Sequence, residues 1–463
     1  MSARCRRRSI LFLLLVLIAW AGSASALCYS GKLLGHSRWQ GEVELTEAVI
    51  VPAEASLTIE PGTRITARSP QAKLVVEGTL SIEGTDEKPV VFATPAGWLG
   101  IELMEAAGKA LIRQAHFSDA ERAVASYGSR LTVEKSRFEN CATAVHLVRE
   151  SPAVIVDNRF FGGRFGVIAE MKSAPQVSGN LFSGQTEAGL RAGHSSHGPI
   201  YHNRFIDGQT GMALQQPFPN EVRDNDFSGN RIGLFCNQTR NTPKIIGNRF
   251  ENNESALVNY AFSFPVVTDN IFTGNKVALR NDQYGSPLVE HNLFRDNGTA
   301  IYNYRKSNPK VRRNQVEGNK LALFCDYSSY PEVRDNNFLR NDEGVRLGIY
   351  QSADWEKRAG SKPLMLQQAR QRNSRNDMLG QAPTDFVDRV DVSGNWWGAD
   401  SERLRAAGAD ANDALFWDVH DQPTVVYEGF GDEAYRLDRV VFQPVLDGPV
   451  DGTGPRLAER AAQ

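Results

Sequence analysis

Along most of the chain the apolar residues recur neither at helical spacing nor in one long run. They fall in short alternating segments separated by Gly, Asn, Asp and Pro, which is the pattern of strands and turns. One phrase, Asn-x-Phe, sets the period. It occurs at Asn158/Phe160, Asn180/Phe182, Asn203/Phe205, Asn225/Phe227, Asn248/Phe250, Asn270/Phe272, Asn292/Phe294 and Asn336/Phe338, with Asn314/Val316 as a variant. Phe117 and Phe138 are earlier members that lack the Asn, and successive members are 21 to 23 residues apart. Other positions keep the same register. An aliphatic residue precedes the Asn (Val177, Ile200, Val222, Ile245), a second Asn follows the Phe (Asn230, Asn253, Asn275, Asn297, Asn319, Asn341), and a small then an aliphatic residue come next (Gly233-Leu234, Ala256-Leu257, Ala278-Leu279).

A period of 22 with about three short strands per unit is what one coil of a parallel β-helix needs, each coil stacking on the next at about 4.8 Å. Phe then stacks on Phe and aliphatic on aliphatic inside, with Asn amides laddered at the turns, where Asn tolerates the left-handed conformation. The fold expected is all-β, a β-helix of about 14 coils capped at both ends, a rod of about 65 Å. Earlier coils use other words: Leu57-Thr58-Ile59, Leu74-Val75-Val76, Leu80-Ser81-Ile82 and Val90-Val91-Phe92, between Gly turns. Residues 27–45 are expected to cap the first coil, 46–350 to form the β-helix, 351–390 to loop out as an insertion, and 391–463 to supply a last coil and the C-terminal cap. The insertion breaks register, and the Asn-x-aromatic phrase resumes at Gly394-Asn395-Trp396-Trp397-Gly398. It is either a lid over one face or a tolerated surface loop.

Residues 1–26 read as a cleaved signal peptide. Arg4, Arg6, Arg7 and Arg8 form a basic start, Ile10 to Trp20 an apolar stretch too short to span a bilayer, and Ala24-Ser25-Ala26 a cleavage site. A periplasmic or extracellular location follows, with no transmembrane segment after cleavage. Without those four Arg, 48 basic side chains face 54 acidic ones, a formal charge of −6, which argues against a nucleic-acid partner. Four Cys then remain (Cys28, Cys141, Cys236, Cys325), too few for a disulfide framework. Cys236 and Cys325 sit four coils apart, about 19 Å at the strand spacing, far beyond disulfide reach.

The phrases Leu57-Thr58-Ile59-Glu60-Pro61-Gly62-Thr63 and Gly84-Thr85 before Pro89-Val90-Val91-Phe92, with the Asn-x-Phe repeats, Gly-Asn-Trp-Trp-Gly at 394–398 and Val440-Val441-Phe442-Gln443-Pro444, resemble secreted right-handed parallel β-helix repeat proteins of the carbohydrate-binding and sugar-hydrolase type. The resemblance covers nearly the whole mature chain and implies a right-handed helix. It leaves activity open, because the group includes polysaccharide lyases, epimerases, adhesin-like surface proteins and periplasmic accessory proteins of metalloenzyme maturation. Three enzyme signatures of such folds are missing here: Asp-Pro-His, Gly-His-Gly with paired Asp, and Trp-x-Asp-His.

Counting eight and ten residues beyond each repeat Phe gives two outward columns on one strand. Phe235, Val258, Arg280, Tyr302, Phe324 and Arg346 form the first; Asn237, Tyr260, Asp282, Tyr304 and Asp326 the second. Rings mixed with Arg and Asp suit a sugar chain, since aromatic faces stack on pyranose faces and charged groups hydrogen-bond hydroxyls. The ligand-binding candidates are therefore Phe235, Tyr260, Tyr302, Tyr304, Phe324 and Arg346. Asp282 and Asp326, about 9.6 Å apart by coil spacing, are candidate catalytic carboxylates with Arg280 beside them. The bland alternative is a set of solvated side chains or a seat for the insertion. Asn259, Asn281, Asn303 and Cys325, between the columns, are expected to point inward as a buried ladder. His194, His197 and His202 are close enough in sequence to suggest a metal site, although flexible neighbours and the absence of an adjacent acidic ligand weigh against it. No cofactor is required by the sequence. The leading expectation is binding of a polysaccharide or cell-envelope component along the lateral face without turnover. Its rivals are a polysaccharide lyase, hydrolase or epimerase, and an accessory protein of periplasmic metalloenzyme maturation.

Overall fold

The chain is described here by a computed structural model covering residues 26–93, 98–358, 387–429 and 432–456. The expected leader and most of the expected insertion lie outside these residues. Three strands per coil stack into a parallel β-solenoid of about 14 turns with period near 22. One face is a 14-stranded parallel sheet running from His36–Trp39 to Glu332–Arg334, and the other two join in a 29-stranded sheet. The aliphatic residue before each Asn lies on the first face and is buried, from Val177 to Val333. The Phe strands make the second face. Like residues pair in register, Phe160 with Phe182 and Phe250 with Phe272 among them.

From Phe92 to Phe294 the rings form an unbroken stack with centroids 4.4–5.0 Å apart and planes within 10°. Val316 interrupts it, and Trp397 resumes it on Phe338 at 4.4 Å. The small residue after the second Asn makes room for these rings. At Gly211 an added Cβ would lie 2.9 Å from Phe227 and 2.7 Å from the Gly233 carbonyl.

The Asn ladder corrects one expectation. Its members are not the left-handed residues: that conformation belongs to the residue just before each (Asp157, Gly179, His202, Asp224, Gly247, Asp269, His291, Arg313, Asp335, Gly394), with φ between 53° and 69°. The left-handed residue turns the chain so that the Asn side chain enters the core, at most 1% exposed from Asn158 to Asn395. Each Oδ1 then accepts the backbone N–H and the Nδ2 of the Asn one coil earlier, the latter at 2.9–3.0 Å. Each Nδ2 also donates to main-chain carbonyls, as Asn270 does to Ile245 and Thr268 at 2.9 Å. A turn that would otherwise bury unpaired backbone groups is thereby satisfied. Asn395 seats on Asn336 across a gap of 59 residues, so the solenoid resumes after the break.

At the N-terminal end Leu27–Lys32 pairs parallel with Glu42–Val51, and Tyr29 stacks on the fully buried Trp39 at 4.8 Å. At the other end a short helix, Ala353–Arg358, and an antiparallel pair, Thr424–Val426 with Ala434–Arg436, pack into a second core of Trp355, Val419, Val425, Tyr427, Tyr435 and Leu437. The last described residues run back along the rod. Val450 bonds to Asn337, the Gly454 N–H donates to the Arg313 carbonyl, and Arg456 forms an ion pair with the buried Asp269 at 2.9 Å.

Candidate functional site

The third face carries the two outward columns. Its strands include Ile232–Asn237, Ser255–Tyr260, Val277–Asp282, Thr299–Asn303, Leu321–Cys325 and Glu343–Leu347. Register places Phe235, Val258, Arg280, Tyr302, Phe324 and Arg346 in one line, and the line continues to Trp417, which the sequence count stopped short of because 68 residues separate Leu347 from Phe416. Tyr302 stacks on Phe324 at 4.6 Å, and the Arg280 guanidinium lies over the Tyr302 ring at 5.2 Å. Arg346 lies over Trp417 at 5.4 Å. Phe235, Arg280, Tyr302, Phe324 and Trp417 are half-buried and Arg346 is exposed, whereas Val258 is buried.

The second column runs Asn237, Tyr260, Asp282, with Tyr304 and Asp326 just past their strands. Tyr304 sits 6.1 Å from Tyr302 and takes Arg305 over its ring at 5.0 Å. Neither carboxylate is the solvated group that outward alternation implies. Asp282 is 5% exposed; its Oδ2 accepts from Arg280 at 3.0 Å and its Oδ1 is buried without a hydrogen-bond partner. That makes Asp282 a counter-ion for Arg280, not a carboxylate open to a substrate. Asp326 is 7% exposed and accepts the N–H groups of Tyr327 and Tyr350 on one oxygen. Burial pushes its carboxyl up to about 6 against the opposing pull of those two N–H groups. Burial also raises the Tyr302 hydroxyl.

Asp326 is covered by the C-terminal module. Tyr304, Tyr327, Tyr350 and Tyr427 follow one another at 4.9–5.6 Å, and Trp355 meets Tyr327 edge-on at 5.8 Å. These rings wall one side of the stripe at its C-terminal end and leave Tyr302, Tyr304 and Phe324 partly open. No repeat position announces Tyr350, Trp355 or Tyr427, so the wall was not readable from periodicity.

Between the columns the inward ladder forms as its spacing requires. Asn259 donates to Asn281 and Asn281 to Asn303, each at 2.9 Å, and Asn303 faces the Cys325 sulfur at 3.7 Å. All four are buried, and burial pushes the Cys325 thiol up to about 12. The described cysteines are all free, only Cys28 being exposed.

His194, His197 and His202 are not gathered into a ligand set. Among the described residues no group of three or more His, Cys, Asp or Glu is placed to hold a metal ion. His202 instead occupies the left-handed turn position before Asn203, which points it to solvent. His194 lies 3.6 Å from Glu170, whose other oxygen meets His146 at 2.8 Å, a neighbour 48 residues away that the sequence cluster did not include.

Period and register define the class, a parallel β-helix repeat protein, and the family matches make it a right-handed one. Three family descriptions match parts of it: pectate-lyase like beta helix domain over residues 38–137, periplasmic copper-binding protein (NosD) over 91–263, and right handed beta helix region over 233–353. Among solved structures it is similar to the periplasmic alginate epimerase AlgG, at 11% identity and a TM-score of 0.29 over 66% of this chain and 75% of that one. It is also similar to the Dettilon tailspike protein gp208, at 12% identity and a TM-score of 0.32 over 67% and 61%. No curated protein sequence matches significantly. Among the described residues no helix is long and apolar enough to cross a membrane.

Proposed function

We propose that this chain is an exported protein that binds a polysaccharide or other cell-envelope glycan along the third face, without turning it over. The observation that carries the reading is the in-register line of Arg280, Tyr302, Phe324, Arg346 and Trp417, with Tyr304 beside it. Half-buried rings at coil spacing offer a rigid set of apolar faces, so little side-chain entropy is lost when pyranose rings stack on them. Export rests on the leader-like residues 1–26 and agrees with the periplasmic family description matched over 91–263.

The mature chain is expected to be retarded in an affinity gel containing its glycan, with no new reducing ends, unsaturated products or altered sugar stereochemistry. Tyr302→Ala combined with Tyr304→Ala should weaken that retardation about tenfold. Unchanged retardation would place the binding elsewhere. Product formation would instead favour a polysaccharide lyase, hydrolase or epimerase, for which Asp326, raised to about 6 beside the two tyrosines, is the candidate proton donor.

A second reading, an accessory role in periplasmic metalloenzyme maturation, is favoured by the match to the copper-binding family description over 91–263. It requires stoichiometric copper uptake that is lost in His146→Ala and His194→Ala. Absence of uptake by the full mature chain would remove it.

A further inference from the structure

We infer that the stripe takes an uncharged, hydroxyl-rich glycan in preference to a polyanionic one. This rests on the glycan-binding reading above and adds the class of glycan. The cations around the stripe are Arg280, Arg305, Lys306 and Arg346, and the carboxylates are Asp282, Asp326, Glu343 and Glu356. Most of that positive charge is matched by carboxylates close by.

Three of the cations already hold a carboxylate. Arg280 bonds to Asp282 at 3.0 Å, Arg346 to Glu343 at 2.9 Å, and Lys306 lies 3.5 Å from Glu356. The guanidinium groups of Arg280, Arg305 and Arg346 are in addition laid over Tyr302, Tyr304 and Trp417. A uronate carboxylate arriving at Arg280 would have to share the guanidinium with Asp282, setting two like charges on one cation. That sharing is unfavourable, because Asp282 is buried, its Oδ1 has no hydrogen-bond partner, and Arg280 supplies the ion pair on Oδ2. A neutral sugar makes no such demand. Its ring can stack on Tyr302, Phe324 or Trp417, while its hydroxyls accept from the remaining guanidinium N–H groups and leave the ion pairs in place.

The test is affinity electrophoresis of the full mature chain through neutral polysaccharides (a β-glucan, a mannan, a galactan) and acidic ones (alginate, polygalacturonate), each at low and high salt. Retardation by a neutral polymer that persists at high salt is the expected result, since no net charge is being screened. Retardation by acidic polymers alone, or retardation abolished by salt, would overturn the inference while leaving glycan binding intact. Retardation by neither class would overturn glycan binding itself and the inference with it. Glu343→Gln releases the exposed Arg346 without touching the core, and should raise affinity for the acidic polymers about two- to fivefold. Asp282→Asn should act in the same direction at Arg280. No gain in either variant would show that these carboxylates do not set the selectivity.

Discussion

Asn270→Ala is expected to destabilise the solenoid by about 3 kcal/mol, measured as a shift in the denaturant midpoint. The side chain is fully buried in the middle of the ladder. Its Oδ1 accepts the Asn248 backbone N–H at 2.9 Å and the Asn248 amide at 3.0 Å, and its Nδ2 donates to Ile245, Thr268 and Asn292. Ala leaves the Asn248 N–H buried without an acceptor and removes a donor from two carbonyls. By contrast Ile271→Ala, one residue away on a half-buried outward position, is expected to cost less than half as much. Equal losses at the two positions would mean that the ladder fills space and does not satisfy the turn.

The second large effect is expected at Asp438, which ties the C-terminal module to the rod. It is 1% exposed and accepts from the Ala353 N–H at 2.8 Å, the Tyr330 hydroxyl at 2.9 Å and the Gln351 amide at 3.1 Å. Asp438→Ala unpairs all three and is expected to loosen the module by about 2–4 kcal/mol, read from the fluorescence of Trp355 and Trp417. The pH dependence has a definite sign. Burial raises the Asp438 carboxyl from 3.8 to about 7, ahead of the lowering effect of its three donors, and burial raises Asp326 to about 6. The folded state therefore binds protons that the unfolded state releases. The associated stability is complete below the ordinary carboxylate value and declines as pH rises from about 4 toward 7. Asp438→Asn keeps the shape and should flatten much of that slope. An unchanged slope would assign the pH dependence to other groups.

The solenoid was legible because a residue that repeats every coil meets its own copies: Phe160 predicts Phe182, and Asn248 predicts Asn270. The outward columns followed from the same count, as did the inward turn of Asn259, Asn281 and Asn303. What periodicity could not supply was contact between segments that do not repeat. Asp326 reads as solvated from its strand position, yet Tyr350 and its neighbouring aromatic residues cover it. Trp417 joins the stripe only because its strand pairs with Glu343–Leu347 across a long gap. The turn is ambiguous in sequence for a local reason, since Asn and many of its predecessors are turn-forming residue types and only the backbone tells which is left-handed. His194, His197 and His202 failed as a cluster because proximity along a coil does not aim side chains at one point.

Glycan binding along the third face can be observed directly. The most direct measurement is a crystal structure of the mature chain soaked with a neutral oligosaccharide that retards it in solution. Sugar rings are expected on Tyr302 and Phe324, running toward Trp417, with the Arg280–Asp282 pair intact. Sugar density on another face, with the stripe bare, would contradict that expectation.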